Sequence, residues 1–367
     1  MTMQRRALLK ATLGGAAAAV AGEFILAEAA QAASPFPWII DCDSWGAKPA
    51  NSTIVLSEGT TRKILLHHTA YPNTTDYSRD QAIWLARDIQ RLHQDVNGWA
   101  DTGQHFTVSR GGYVLEGRHR SLETLGTGAA QVVSAHCPGQ NTASIGIENE
   151  GTYTDETPPE ALWDSLLRLC VTISQQYGLK AHNIFGHWDF RATLCPGAAF
   201  YRQFPKLRRE VAGLLRTPVG EIPERTWPDI YNSIGGPVVR VAQWLLKFRG
   251  YDIAVTGAWS AAMTAAVQDW QSRNGIAPQA DGRLTGATWD SLVPELGKDA
   301  TGDAVSAFQQ AIAHKGYPDV LINGIYDHAS KKAVQDLQRL HGLTPNGKIS
   351  LGTWCALTGG VVREAFC

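Results

Sequence analysis

The chain is 367 residues long, and its 33 Lys and Arg nearly cancel 34 Asp and Glu to leave a net charge of −1 at neutral pH. That balance excludes binding to nucleic acid or anionic lipid through bulk charge, and 44% hydrophobic residues with twelve Trp, ten Tyr and ten Phe exclude a disordered chain. At roughly 150 residues per domain, the length predicts two or three domains.

Residues 1–33 read as an export signal. Arg5 and Arg6 precede an Ala/Gly-rich apolar stretch from Ala11 to Gly22, followed by two cleavage patterns, Ala27-Glu28-Ala29 and Ala30-Gln31-Ala32. Paired arginines before a mildly apolar segment indicate the twin-arginine type. Glu23 and Glu28 interrupt the run well short of the ~18 apolar residues of a membrane span. Removing residues 1–32 takes away Arg5, Arg6, Lys10, Glu23 and Glu28, which leaves a charge of −2. The expectation is a secreted monomer with no membrane span after cleavage.

Residues 38–215 alternate short apolar runs with helical patterns, which predicts an α/β domain built on a central mixed sheet flanked by helices. Ile64-Leu65-Leu66, Phe106-Thr107-Val108 and Ser144-Ile145-Gly146-Ile147 are its buried-strand candidates. Ser78 and Gln81 form a capping box ahead of Leu85, Ile89, Leu92 and Val96 at helical spacing. Thr157 and Glu160 form another, with Pro158 in the first turn, ahead of Leu162, Leu166, Leu169 and Ile173. Pro218, Pro223 and Pro228 punctuate a linker over residues 216–236.

Beyond the linker the sequence repeats itself. Val238, Val241, Leu245 and Phe248, then Gly250-Tyr251, Gly257, Ala266-Val267, Gln271, Asp281-Gly282 and Thr288-Trp289 make the first copy. The second runs through Val305, Phe308 and Ile312 to Gly316-Tyr317, Gly324, Ala333-Val334, Gln338, Asn346-Gly347 and Thr353-Trp354, offset by 65 to 67 residues. The two copies, residues 237–297 and 298–360, are each long enough for a small helical unit, with 361–367 left as a tail. The pattern resembles the peptidoglycan-binding domain family, which implies two all-α three-helix repeats. Trp259, Tyr251, Tyr317 and Tyr326 are candidates for stacking on sugar faces.

The densest chemistry lies in three motifs of the first half. Leu65-Leu66-His67-His68 ends a predicted strand with two adjacent His, of which only one can face a given point because successive strand residues alternate. Gly186-His187-Trp188-Asp189 is the second, and Leu194-Cys195-Pro196-Gly197 the third, with Cys195 eight residues beyond His187. Two His and one Cys suit a tetrahedral Zn²⁺ with its fourth position open, and the soft thiolate argues against Mg²⁺ or Ca²⁺. Six cysteines fit an oxidising destination without requiring a disulfide scaffold; Cys355 with Cys367 and Cys42 with Cys170 are the candidate pairs, and Cys137 has no evident partner.

The order of these motifs resembles the zinc amidase family that includes peptidoglycan recognition proteins and phage amidase lysozymes. Supporting matches are Trp45-Gly46-Ala47, Glu116-Gly117-Arg118, Ala135-His136 with Asn141, and Ser144-Ile145-Gly146-Ile147-Glu148. The resemblance implies His67, His187 and Cys195 as zinc ligands, with His68 as the alternative first ligand. Two positions depart from the family pattern. Gln104 stands where many members have a Tyr, and Thr193 where some branches have a Lys. Gln cannot act as a base. Strand alternation puts Glu148 and Glu150 on one face and Ile145 and Ile147 on the other, and one family branch uses a Glu at the end of this segment, so Glu148 is the expected base with Glu150 behind it.

These readings predict a secreted, wall-associated N-acetylmuramoyl-L-alanine amidase acting on peptidoglycan. Glu148 would move the proton, Thr193 would assist at the oxyanion, and Gln104 would occupy the missing Tyr's place. His68, His105, His136 and Asn141 are the expected substrate contacts. The rival readings are a non-catalytic peptidoglycan receptor on the same fold and a zinc peptidase cutting within the stem peptide.

Overall fold

A computed structural model describes residues 35–57 and 59–367. The expected export signal, residues 1–33, lies outside the described residues. Within the first half, six strands form one sheet in the order β1-β5-β4-β7-β3-β8. They are β1 (Ile39–Ile40), β3 (Lys63–His68), β4 (Phe106–Val108), β5 (Val114–Glu116), β7 (Ser144–Asn149) and β8 (Ile184–Gly186). Pairing is parallel except between β4 and β5, so the sheet is mixed. β2 (Leu56–Ser57) and β6 (Gln131–Val132) make a separate antiparallel ribbon. All six residues of β3 are buried, as expected of a parallel strand with neighbours on both edges and helices on both faces.

Helices α1 (Cys42–Trp45), α2 (Arg79–Arg91), α3 (Ser121–Thr127), α4 (Glu160–Tyr177), α5 (Ala198–Tyr201) and α6 (Phe204–Leu214) surround this sheet. α2 starts where its cap predicts: the Ser78 hydroxyl accepts the Gln81 N–H at 3.1 Å. The Gln81 side chain does not complete the box; it reaches Glu150 instead. Leu85 and Ile89 are buried, but the helix widens into a π turn at Leu92–Val96 that swings Val96 out to 63% exposure. The second helix does not begin at Thr157. Thr157 and Pro158 each precede a proline, which keeps both out of the helical region, so Pro159 becomes the N-cap and α4 starts at Glu160.

The repeats are three-helix units as expected: α7 (Pro237–Phe248), α8 (Ala261–Arg273) and α9 (Gly286–Leu292), then α10 (Asp303–Ala313), α11 (His328–Leu340) and α12 (Leu351–Leu357). Trp289 and Trp354, the matching tryptophans, are fully buried, and α7 packs on α10. The Pro-punctuated segment between the halves is folded in. Ile222, Ile230 and Ile234 are buried, and the Trp227 ring stacks on Trp289 at 5.5 Å. β9 (Arg225–Thr226) pairs antiparallel with β10 (Val361–Val362), so the C-terminal residues return to close over the linker. The apolar core consequently runs without a break from Ile39 to Phe366.

All six cysteines are free. Cys42 sits in a small cluster with Trp45, whereas Cys170 is buried in the main core, so that pair cannot meet. The Cys355 thiol points at the carbonyls of Thr226 and Val361, leaving exposed Cys367 without it. No helix among the described residues is long and apolar enough to cross a membrane.

Val361 and Val362 of β10 are buried, and the turn after them, with buried Ala365 and Phe366, packs on α6 of the first half. Removing residues 361–367 is expected to cost at least ~3 kcal/mol, since a fully buried aliphatic side chain contributes about 1.5–3 kcal/mol. Urea unfolding measures this; an unchanged midpoint would refute the closing role of the C-terminal strand.

Candidate metal centre

The site grows from strand register. β3 and β7 run in parallel with His67 opposite Glu148, and β3 pairs with β8 so that Leu66 lies opposite Gly186. Residues in register on parallel strands share a face, which puts Glu148 beside His67. His187, the first residue after β8, then arrives on the other flank of His67, with its ring centre 4.4 Å away. Cys195 returns on the loop after His187: its Sγ accepts the His68 N–H at 3.3 Å, and its carbonyl accepts the Trp188 N–H at 3.1 Å. Binding groups of His67, His187 and Cys195 all lie within 4.8 Å of one another.

The two nitrogens of His67 have different tasks. Nδ1 faces Cys195 Sγ at 3.7 Å, while Nε2 lies 2.9 Å from His136 Nδ1. With Nε2–H donating to His136, the lone pair on Nδ1 is left facing the thiol, the orientation a metal ligand requires. His136 then donates through Nε2 towards Ser144, whose Oγ is 3.3 Å away. Gly146 makes room for this relay, because a Cβ there would stand 2.5 Å from the His136 ring.

Burial sets the charge states. It pushes His67 and His136 well below the usual imidazole range, helped by the neighbouring histidines, and lowers His187 to about 4. Neutral imidazoles are the form that binds metal. Burial also raises the Cys195 thiol far above its ordinary value, so its thiolate requires a cation beside it. Glu148 is pushed up to about 8 by burial alone, and its Oε2 has no hydrogen-bond partner in the protein. A buried carboxylate oxygen without a partner is rare and asks for a functional reason. Donor set, neutral imidazoles and spacing all fit a metal ion.

A cleft of ≈ 210 Å³ opens over these groups, lined by His67, Glu148, His187 and Cys195 together with Gln104 and Thr193. Thr193 Oγ1 accepts the Cys195 N–H at 3.1 Å, and Gln104 donates from Nε2 to Thr107 Oγ1 at 3.0 Å. His68 borders the cleft, but its Nδ1 accepts the Tyr153 N–H, and His67 is the residue in the cluster. Glu150 is held by Gln81 and the Arg110 N–H, which leaves Glu148 as the free carboxylate.

Two of the expected substrate contacts are engaged in bonds within the protein. His105 is fully buried; its Nε2 lies 2.9 Å from the Val132 carbonyl and its Nδ1 accepts the Gly146 N–H, so it ties strands together. Asn141 caps the loop before it by accepting the Cys137 N–H at 2.8 Å, away from the cleft. His136 reaches the cleft but spends its Nδ1 on His67. Among the sugar-stacking candidates, Tyr326 is buried with its hydroxyl on the Gly347 carbonyl. Sequence reasoning missed His93 and Trp99, whose rings stack at 4.6 Å on the cleft wall. The only sequence signal was a Trp after Asn97-Gly98, in a turn where a large ring has no core to fill.

A mixed sheet carrying a His/His/Cys group at its strand ends, followed by paired three-helix units, has the make-up of an amidase-fold domain joined to two small helical repeats. Residues 57–198 match the family model described as N-acetylmuramoyl-L-alanine amidase, and residues 235–292 and 301–357 each match that of the putative peptidoglycan binding domain. The chain therefore joins a domain of the N-acetylmuramoyl-L-alanine amidase family to two peptidoglycan binding domains. It is 32% identical over 161 residues to a human N-acetylmuramoyl-L-alanine amidase, a match covering 43% of this chain and 26% of the human protein. It is 28% identical over 166 residues to Peptidoglycan-recognition protein LB of Drosophila melanogaster, covering 45% of this chain and 66% of the relative. The solved structure of wild-type Drosophila PGRP-LB aligns with 27% identity and a TM-score of 0.39, over 47% of this chain and 92% of that one.

Two outcomes follow from this geometry. Cys195→Ser is expected to weaken divalent metal binding by about a hundredfold or more, since it removes the only thiolate of the group; equal metal content after dialysis of variant and parent would contradict it. In the metal-free chain, the Glu148 pKa of about 8 exceeds its ordinary 4.5. Stability is therefore unaffected below pH 4.5 and is lost as pH climbs towards 8, because only the unfolded carboxyl ionises freely. Glu148→Gln should raise metal-free stability at pH 8 by about 1–3 kcal/mol and leave it unchanged at pH 4. Equal gains at both pH values would contradict the assignment.

Proposed function

We propose that the chain is an exported, zinc-dependent N-acetylmuramoyl-L-alanine amidase that hydrolyses the amide between the lactyl group of muramic acid and L-alanine in peptidoglycan. The observation that carries this reading is Glu148: a carboxylate with an unpartnered oxygen, in register with His67 and facing the same cleft as His187 and Cys195. His67, His187 and Cys195 would hold the ion. Zinc bound there supplies a Lewis acid for the scissile carbonyl and for water at neutral pH.

The remaining work falls to the chain's own residues. Glu148 accepts the proton of the attacking water at Oε2 and delivers it to the leaving amine of L-alanine. Thr193 accepts the Cys195 N–H, which leaves its own hydroxyl proton for the carbonyl oxygen where negative charge develops. Gln104 spends its amide N–H on Thr107, so its carbonyl oxygen is available to orient water or a substrate N–H, without base chemistry. The His93–Trp99 stack offers a flat apolar wall against which a sugar ring can pack. The two repeats keep the catalytic domain at an insoluble polymer, where even weak binding raises effective concentration. The Arg5-Arg6 segment supports export in folded form, with Cys195 loaded before it meets oxidants.

Gln104 in place of Tyr favours the receptor as the second reading. Incubation of the zinc-loaded protein with peptidoglycan, followed by product masses, separates the readings. The amidase releases peptides beginning with L-alanine; a receptor releases nothing, and a peptidase cuts between amino acids. Glu148→Ala is expected to lower turnover at least ~100-fold with zinc content unchanged. Undiminished turnover would remove Glu148 from the mechanism.

A further inference from the structure

The turn that carries His187 is gripped from the second repeat. Asp189, two residues after His187, has a fully buried side chain whose Oδ2 accepts the Gly186 N–H at 2.9 Å and so fixes the strand end from which His187 departs. Its Oδ1 accepts the Tyr201 hydroxyl at 2.7 Å and lies 3.3 Å from Lys315 Nζ, which also donates to the Tyr201 oxygen at 2.8 Å. Lys315 belongs to repeat 2, and its side chain is 7% exposed. Around the pair, Trp188 packs against His314 of repeat 2 at 5.4 Å, and Gly359 closes over Asp189 so tightly that any Cβ there would collide with the carboxylate. The turn is linked onward to Cys195 by the Trp188 N–H.

The two repeats differ at this point. Lys315-Gly316-Tyr317 corresponds to Arg249-Gly250-Tyr251 in repeat 1. Tyr251 and Tyr317 make the same bond within their own repeats, to Asp269 and Asp336. Arg249, however, turns inward to the carbonyls of Leu292 and Ser291. Repeat 2 has redirected that cation out of its own fold and into the turn that carries a metal ligand.

We propose that Lys315 is a positioning residue of the metal centre, so that repeat 2 serves as a structural part of the site in addition to any role in wall binding. It rests on the metal reading of His67, His187 and Cys195. Without Lys315, Asp189 loses its ion-pair partner and keeps only the more distant charge of buried Arg208, so it must shift or recruit water, which releases the Gly186–His187 strand end. Asp189→Asn removes that charge while keeping an acceptor for the Gly186 N–H.

The test measures zinc affinity of the full chain by competition with a chelating dye, with the absorption spectrum of the cobalt-loaded form as a second readout. Lys315→Met is expected to weaken zinc binding about tenfold, at the lower end of what outer-shell changes produce, and to shift the cobalt spectrum. Arg202→Ala, which breaks the neighbouring exposed contact to Asp336 of repeat 2, should stay within about twofold of the parent. The charge-balanced pair Lys315→Met with Asp189→Asn should recover most of the loss, and it keeps the test open if the single variant does not fold. Unchanged affinity in Lys315→Met, or equal losses in Lys315→Met and Arg202→Ala, would overturn the proposal while leaving the metal centre standing. A parent chain that binds no zinc through Cys195 would overturn both.

Discussion

The in-register pairing of three parallel strands is the constraint on which the site depends. β3 lies between β7 and β8, and its C-terminal end brings His67 level with Glu148 on one side and with the residue after Gly186 on the other. A slip of one residue would turn His67 to the opposite face and bring His68 in its place. The six buried residues of β3 resist that slip, since it would re-sort every apolar contact on both faces. Core packing and metal-ligand choice are thus one event, and the outer elements need only deliver Cys195.

The same burial that fixes the strands prepares the chemistry. It keeps His67, His136 and His187 neutral and holds the Glu148 carboxyl in its protonated form to near-neutral pH. A metal ion would reverse the cost for Cys195 and favour an ionised Glu148. The site is electrostatically unfinished as protein alone. That is the expected condition of a centre whose binding energy is partly drawn from relieving its own desolvation.

Much of this was legible in the sequence because it is local. The apolar runs at Ile64, Phe106 and Ile145 marked three strands, the His and Cys spacing marked the cluster, and the 65–67-residue offset marked two repeats. What was not legible depends on distant partners. The bonds of His105 go to Val132 and Gly146, 27 and 41 residues away, which its local sequence does not show. Choosing between His67 and His68 needed the register of neighbouring strands. Closeness in sequence suggests Cys355 with Cys367, but the Cys355 thiol faces backbone carbonyls, and Cys42 and Cys170 lie in different clusters. The Thr157 capping pattern counts Pro158 as a first-turn residue, but Pro159 behind it keeps Pro158 out of the helical region.

Segments that resemble separate modules in sequence share one core here, and the second repeat bears on the turn that carries His187. The central claim nevertheless concerns the ligand set at the end of β3. X-ray absorption at the zinc edge of the loaded full-length chain tests it most directly. One sulfur neighbour at about 2.3 Å and two imidazole nitrogens at about 2.0–2.1 Å are predicted, with the remaining position filled by a light atom. A shell without sulfur, or one containing two or more sulfurs, would contradict the assignment of His67, His187 and Cys195.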